Sequence, residues 1–184
     1  MTVGRKVYLD LGANVGDTIA HFAEWHPSHL IWGFEANPQI VRSLRKRFKG
    51  NPNVKIVHKA VWIAEGTITL FLGHPLSSTI VEGKVAMPQA PEFEIHYDKS
   101  VEVASLDFPK WLLRNFTLYD DVTIKMDIEG AEYAVLRRMI ETKAIKLVDL
   151  LICEFHHNRF PSQATDHDRL LATLTERTRL IRWH

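Results

Sequence analysis

Strand-like and helix-like stretches alternate along most of this chain, and that alternation limits its fold more than any other feature. Lys6-Val7-Tyr8-Leu9-Asp10 is an apolar run of strand length, and a helical pattern follows from about Asp17 to Trp25. Leu30 to Glu35 forms the next strand. Asn37 is placed to cap the helix behind it, with Pro38 at the first helical position, where a missing N–H costs nothing. Ile40, Leu44 and Phe48 then recur at helical spacing and give that helix one apolar stripe. A third strand is expected from Val54 through His58 to Trp62, with Thr67 to Leu72 as its hairpin partner.

Gly73 to Ser100 breaks the rhythm with three prolines and no sustained period, and reads as an irregular excursion over the surface. Regularity returns at Val101-Glu102-Val103 and Trp111-Leu112-Leu113, followed by a strand from Val122 to Asp127. A helix from about Glu132 to Glu141 puts Val135, Leu136, Met139 and Ile140 on one face. Leu147 to Phe155 is the most apolar strand of all. Thr165 and Asp168 fit a capping box for a last helix carrying Leu170, Leu171 and Leu174, and Arg179 to Trp183 fits a final edge strand. The implied fold is a single α/β domain over residues 1–184, built on a doubly wound, mostly parallel, Rossmann-like sheet.

Composition excludes several classes of function. The 184 residues suffice for one well-buried core, and 23 basic against 22 acidic side chains leave no global field for nucleic acid or an anionic membrane. The basic run Arg42 to Lys49 falls on the solvent face of its helix. Cys153 is the only cysteine, which excludes an intrachain disulfide and a CxxC site; within its apolar strand it reads as an inert buried thiol. Trp25, Trp32, Trp62 and Trp111 read as packing residues. With no leader-like start and no membrane-length apolar run, a cytoplasmic protein is expected. Its oligomeric state stays open, with a homodimer among the options.

In doubly wound sheets ligands bind outside the carboxyl ends of the strands, where the strand order switches. Four stretches of chemical interest fall at expected strand ends: Asp10-Leu11-Gly12, Glu35-Ala36-Asn37, Lys125-Met126-Asp127 and Glu154-Phe155-His156-His157. The turn after the first strand reads DLGANVGDT. A dinucleotide turn, G-x-G-x-x-G, brings its second glycine against the pyrophosphate, but here Asn14 stands in that place between Gly12 and Gly16. Asp10 and Asp17 beside the turn disfavour a phosphate and suit a ligand with an amine and a sulfonium, such as S-adenosylmethionine. Glu35 is placed to accept two ribose hydroxyls, although NAD sites use such an acid as well. Without further context, the two glycines would only permit a tight turn.

The stretches DLGANVGDT, FEANP, KAVW, VASLD, IKMDIEGAEYAVL and ICEFHH together resemble the FkbM family of S-adenosylmethionine-dependent methyltransferases, in matching order from Val7 to His157. The resemblance implies a class I methyltransferase fold and O-methylation, often of a sugar or natural-product hydroxyl. It implies cofactor contacts from Asp10, Gly12, Asn14, Gly16 and Glu35, with Ala13, Thr18 and Ala36 in the same turns. Ala60 and Val61 would lie beside the adenine, and Asp127 would face the methionine part. Only one strand is legible after the last helix, where such folds carry a two-stranded antiparallel hairpin.

Methylating an alcohol calls for a general base, and the candidates are Asp127, Glu129, Glu154, His156 and His157. The two histidines follow a strand end and should point in different directions, so at most one reaches the nucleophile. Glu129, just before Gly130, is also suited to orienting its loop through backbone N–H groups. Asp127, Glu129, Glu154 and a histidine have the donor chemistry of a divalent-ion site, but no compact ligand spacing supports one and no metal is expected. In the excursion, Ser77, Ser78 and Thr79 offer hydroxyls, and Met87, Pro88, Pro91 and Phe93 offer apolar cover, so the segment reads as a lid over a hydroxylated small-molecule or glycan acceptor. Two alternatives remain: a non-catalytic domain that keeps this fold and works through a larger enzyme, and an NAD-dependent enzyme.

Overall fold

In the computed structural model, which describes residues 4–74 and 77–183, six strands form one wholly parallel sheet. They are β1 (Lys6–Leu11), β2 (Leu30–Phe34), β3 (Val54–Val57), β7 (Asp121–Met126), β8 (Leu150–Glu154) and β9 (Arg179–Trp183). Their order is β3-β2-β1-β7-β8-β9, so the order reverses between β1 and β7. A smaller sheet holds β4 (Ala60–Trp62), β5 (Gly66–Gly73) and β6 (Ile95–Asp107) in the order β4-β6-β5. The helices are α1 (Asp17–Trp25), α2 (Pro38–Phe48), α3 (Phe108–Asn115), α4 (Glu132–Glu141) and α5 (His167–Thr175).

The two faces of the large sheet follow from the side-chain alternation of its strands. On β1, Val7, Leu9 and Leu11 point into the main core with Leu112 of α3, Val135 and Leu136 of α4, and Leu170 and Leu174 of α5. Tyr8 points the other way, into a second core with Ile19 of α1 and Leu44 of α2. Each leucine or isoleucine fully withdrawn from water contributes roughly 1.5–3 kcal/mol. Asn37 caps α2 as its sequence suggests, its side chain accepting from the Gln39 N–H at 2.9 Å.

Several expectations need correction. The stretch Val54 to Trp62 is two strands in two sheets, because the chain turns at His58 and Lys59, where His58 Nε2 meets the Ala36 carbonyl at 3.1 Å. β5 does form a hairpin, but its antiparallel partner is β6, which also pairs in parallel with β4. The irregular excursion is therefore shorter than Gly73 to Ser100, since β6 begins at Ile95. The residues that follow it, His96 to Ser100, are exposed, which removes the apolar signal. Pro75 and Leu76 of the excursion and the first three residues of the chain lie outside the described residues. The Thr165–Asp168 capping box does not form: α5 starts at His167 without a side-chain cap, and Asp166 pairs with Arg137 instead. The last strand is parallel to β8 and ends the sheet without an antiparallel partner. Trp25 is 80% exposed at the end of α1 rather than packed, whereas Trp32 and Trp111 join Phe34 and Phe108 in one aromatic cluster. Cys153 is fully buried, and burial pushes its thiol well up. Among the described residues no helix is long and apolar enough to cross a membrane.

Candidate active site

A cleft of about 630 Å³ opens at the carboxyl ends of β1, β2, β7 and β8, at the point where the strand order reverses. Gly12, Ala13, Asn14, Gly16, Thr18, Glu35, Ala36, Ala60, Val61 and Asp127 all line it, as do Glu129, Glu154, His156 and His157. Asp10 does not. It is fully buried behind the wall, accepting from the Thr18 hydroxyl and paired with Lys125 Nζ at 3.3 Å, its neighbour across the β1–β7 register. Burial raises the Asp10 pKa, and Lys125 and Thr18 oppose the rise. The negative charge expected beside the turn is thus largely met within the protein, since Asp17 pairs with Arg47 at 2.6 Å.

The glycine turn is tightly constrained. Gly12 has φ +84°, and a Cβ there would stand 1.9 Å from the Asp127 carbonyl oxygen, so the turn packs directly against the end of β7. Its amides are occupied by the turn itself. Gly12 and Ala13 N–H donate to the Phe34 carbonyl at 3.1 and 2.9 Å, and Gly16 N–H donates to Ala13 at 2.8 Å. Val15 N–H donates to Asn14 Oδ1 at 2.7 Å, and Asn14 N–H donates to Glu35 Oε2 at 2.8 Å. A pyrophosphate held in the manner of a dinucleotide turn would find none of these five donors free. Glu35 Oε1 also accepts from the Asn37 N–H at 2.7 Å. Both oxygens are fixed, and each keeps a lone pair for a ligand in the cleft. Burial raises the Glu35 pKa, and the Asn37 and Asn14 N–H groups oppose it.

Facing the turn, a group of acids surrounds one imidazole. His156 is buried, with Nδ1 3.0 Å from Glu132 Oε1, while Nε2 lies 3.5 Å from Glu129, 3.8 Å from Glu154 and 3.9 Å from Asp127. Burial alone would lower its pKa, but the bond to Glu132 and the charges of Glu132, Glu129 and Asp127 outweigh it and lift the value to about 9. Unless a metal ion lies among these carboxylates, their charges favour the protonated imidazole over the neutral one. His157 points elsewhere: it is exposed and stacks on His167, with ring centroids 4.6 Å apart. Glu154 has a raised pKa, first from burial and then from Asp127. Asp127, Glu129 and His156 each place one ligand atom within 4.8 Å of the others, a proximity that their sequence spacing conceals.

The loop itself is held by Glu132, not Glu129. Glu132 is wholly buried and accepts from the Ile128 N–H at 2.9 Å and the Gly130 N–H at 2.8 Å. Glu129 sits in the left-handed region with φ +54°, and its carboxylate takes Lys84 Nζ at 2.5 Å. Lys84 comes from the excursion, its side chain 1% exposed, and burial lowers its pKa. The sequence offers no signal for it. Lys125 is more legible, as a lysine in an apolar strand opposite an equally buried aspartate. Burial acts to lower its pKa, but Asp10 and Asp127 together hold it raised. Ser77, Ser78, Met87 and Phe93 of the excursion line the cleft, while Thr79 is buried and donates to the Glu129 carbonyl at 2.6 Å. Pro88 and Pro91 lie outside the lining.

A parallel doubly wound sheet with a cleft at its switch point is the arrangement in which α/β proteins place their ligands. Residues 10–181 match the profile of the methyltransferase FkbM domain, nearly the whole chain, and the chain belongs to that family of methyltransferases. No curated protein matches it significantly. Among solved structures it is similar to yeast methylglyoxal/isovaleraldehyde reductase Gre2 complexed with NADPH, at 9% identity and a TM-score of 0.49. That likeness covers 96% of this chain but 52% of the reductase, so the chain spans about half the length of the protein it resembles.

Proposed function

We propose that this protein is an S-adenosylmethionine-dependent O-methyltransferase acting on a hydroxyl of a sugar, a glycan or a small natural-product metabolite. The observation that carries the cofactor choice is the glycine turn, whose five amides from Gly12 to Gly16 all bond within the protein, so that the turn itself offers no free donor to a pyrophosphate. Glu35, fixed at the end of β2, is the acceptor for two ribose hydroxyls. Ala60 and Val61 offer an apolar wall for a base, and the acids beyond Asp127 suit the cationic end of the ligand.

S-adenosylmethionine supplies, when bound, a methyl group on a sulfonium that is already a good leaving group. The work of the chain is to hold the acceptor oxygen in line with it and to remove a proton. Glu154 lines the cleft with a raised pKa, which makes it a stronger base than an ordinary carboxylate, and it is the proton acceptor in this reading. His156, anchored on Glu132 with Glu129, Glu154 and Asp127 around its other nitrogen, orders this group rather than serving as the base in this reading. Calorimetry with S-adenosylhomocysteine and with NAD, each titrated separately, tests the cofactor. Heat from the first and none from the second is expected, and the reverse would overturn the reading.

A further inference from the structure

His156 presents an electrostatic problem that the fold leaves open. Its side chain is about nine-tenths buried, and Nδ1 is held by the fully buried Glu132. Nε2 is thereby directed at carboxylate oxygens of Glu129, Glu154 and Asp127, 3.5 to 3.9 Å away. Among the described residues Nε2 makes no hydrogen bond. A charge-assisted N–H···O bond is about 2.7–2.9 Å long, so these oxygens stand too far off to be seated on a proton. Lys84 meets the same Glu129 oxygen at 2.5 Å and Lys125 meets the other Asp127 oxygen at 3.3 Å. Among the described residues Asp127 Oδ1 and Glu154 Oε1 face Nε2 with no lysine or arginine of their own. Ligands about 2.1 Å from a divalent ion stand roughly 3–4 Å from one another; Nε2 stands 3.5 and 3.9 Å from Glu129 and Asp127, and the three ligand atoms all lie within 4.8 Å of one another.

We propose that Asp127, Glu129 and His156 form a binding site for a divalent transition ion of the Mn2+ type. Nitrogen from one imidazole with oxygen from two carboxylates favours such an ion over Ca2+ or Mg2+, which prefer oxygen alone. The Glu132–His156 pair is the outer support that metal-binding histidines usually have: a carboxylate takes the N–H of one ring nitrogen and turns the other toward the ion. Glu132 also accepts the Ile128 and Gly130 N–H groups on either side of Glu129, so one buried side chain fixes two of the three ligands. All three ligands line the cleft, which leaves the remaining coordination positions facing the acceptor.

The role of the ion rests on the methyltransferase reading, whereas its binding does not. An acceptor hydroxyl bound to the ion would give up its proton more readily. The proton passes to the Glu154 carboxylate, the oxygen lone pair forms the new C–O bond, and the methyl–sulfur bond breaks with its electron pair left on a neutral thioether.

Mn2+ titrated into the cofactor-free protein and followed by electron paramagnetic resonance provides the test. One bound ion per chain is expected, with pulsed spectra showing coupling to an imidazole nitrogen. Asp127→Asn and His156→Gln should each weaken binding at least about tenfold, and Glu132→Gln by about 10–100-fold, as loss of an outer support does. Circular dichroism checks that the variants fold, and the nitrogen coupling in the unaltered protein needs no variant. Absence of bound Mn2+, a bound ion without nitrogen coupling, or affinity unchanged in folded Asp127→Asn and His156→Gln would each overturn the site. S-adenosylhomocysteine binding on the same samples separates the two readings: its loss with Mn2+ still bound removes the cofactor reading alone, and the converse removes the ion site alone.

Discussion

Glu132 Oε1 and His156 Nδ1 stand 3.0 Å apart with the Glu132 side chain wholly out of water, and this one contact joins the loop after β7 to the end of β8. Sequence places these residues 24 apart, on a helix start and a strand end. Without the pair, the left-handed backbone at Glu129 and the direction of the imidazole would lose their common anchor.

Glu132→Gln should therefore be costly to the fold. The amide can accept from only one of the Ile128 and Gly130 N–H groups, and its NH2 would face the other donor. A buried donor facing a donor, together with a lost charge-assisted bond, should cost about 3 kcal/mol. Urea unfolding at neutral pH measures it. A loss below half a kcal/mol, on the order of an exposed substitution, would contradict the anchoring role.

Glu35→Gln removes charge from the other side of the cleft. Two roles separate here, since Glu35 both accepts the Asn14 and Asn37 N–H groups and faces the cleft. Charge-assisted bonds to two ribose hydroxyls are worth roughly 1.5–3 kcal/mol each, so affinity for S-adenosylhomocysteine should fall by about one to several orders of magnitude. Calorimetry on the folded variant reads this directly. Unchanged affinity would leave Glu35 as a support for the turn and nothing more.

The large sheet was legible because each of its strands carries its own apolar run and each helix its own stripe. The small sheet was not, because after Ile95 β6 runs through the exposed residues His96 to Ser100 and gives no period-two signal there, and because His58 turns a continuous apolar stretch out of the large sheet. The candidate site divides the same way. The backbone turn at Gly12 and the strand-end acids follow from topology, so their convergence could be read from the chain. Partner choice could not: Asp10 spends its charge on Lys125, and Glu129 on Lys84, a residue from the one segment without a pattern. The role expected of Glu129 belongs to Glu132, three residues on, where the first turn of α4 carries the carboxylate back to the loop amides.

The acid limb of stability should depend on Asp120. It accepts from Arg5 Nε at 2.8 Å, Arg5 Nη2 at 2.7 Å, the Arg5 N–H at 3.0 Å and the Thr117 N–H at 2.9 Å, tying the start of β1 to the loop before β7. The Arg5 side chain holds this carboxyl well below the usual carboxylate range, against the effect of burial. A depressed pKa stabilises the fold above the unfolded value near 4 and loses that contribution as pH falls. Asp120→Asn should cost about 1–2 kcal/mol at pH 7, allowing for an Arg5 side chain half in water. The gap from the unaltered protein should narrow below about pH 4. Urea midpoints across pH 3–7 give the comparison, and a gap independent of pH would exclude the ionic contribution.

The excursion over the cleft should behave as two parts rather than as one mobile lid. Its first part is well tied: Thr79 exchanges backbone hydrogen bonds with Phe71 at 2.8 and 3.1 Å, Lys84 Nζ reaches Glu129 and the Ser77 carbonyl, and Val85 N–H donates to Arg159 at 2.7 Å. From residue 86 to 94 the backbone bonds only within its own short turns, while Met87 and Phe93 line the cleft. Residues 77–85 should thus be protected from hydrogen exchange in the free protein, and residues 86–94 should become so only when S-adenosylhomocysteine and a hydroxylated acceptor fill the cleft. Thr79→Val deletes the hydroxyl that donates to the Glu129 carbonyl and accepts from the Val81 N–H. Two lost bonds of roughly 1 kcal/mol each should raise exchange across residues 77–85 by about tenfold or more without altering the core strands. Equal protection of residues 86–94 in both states, while the Gly12 turn becomes protected by the ligand, would show that this part of the excursion does not close on the acceptor.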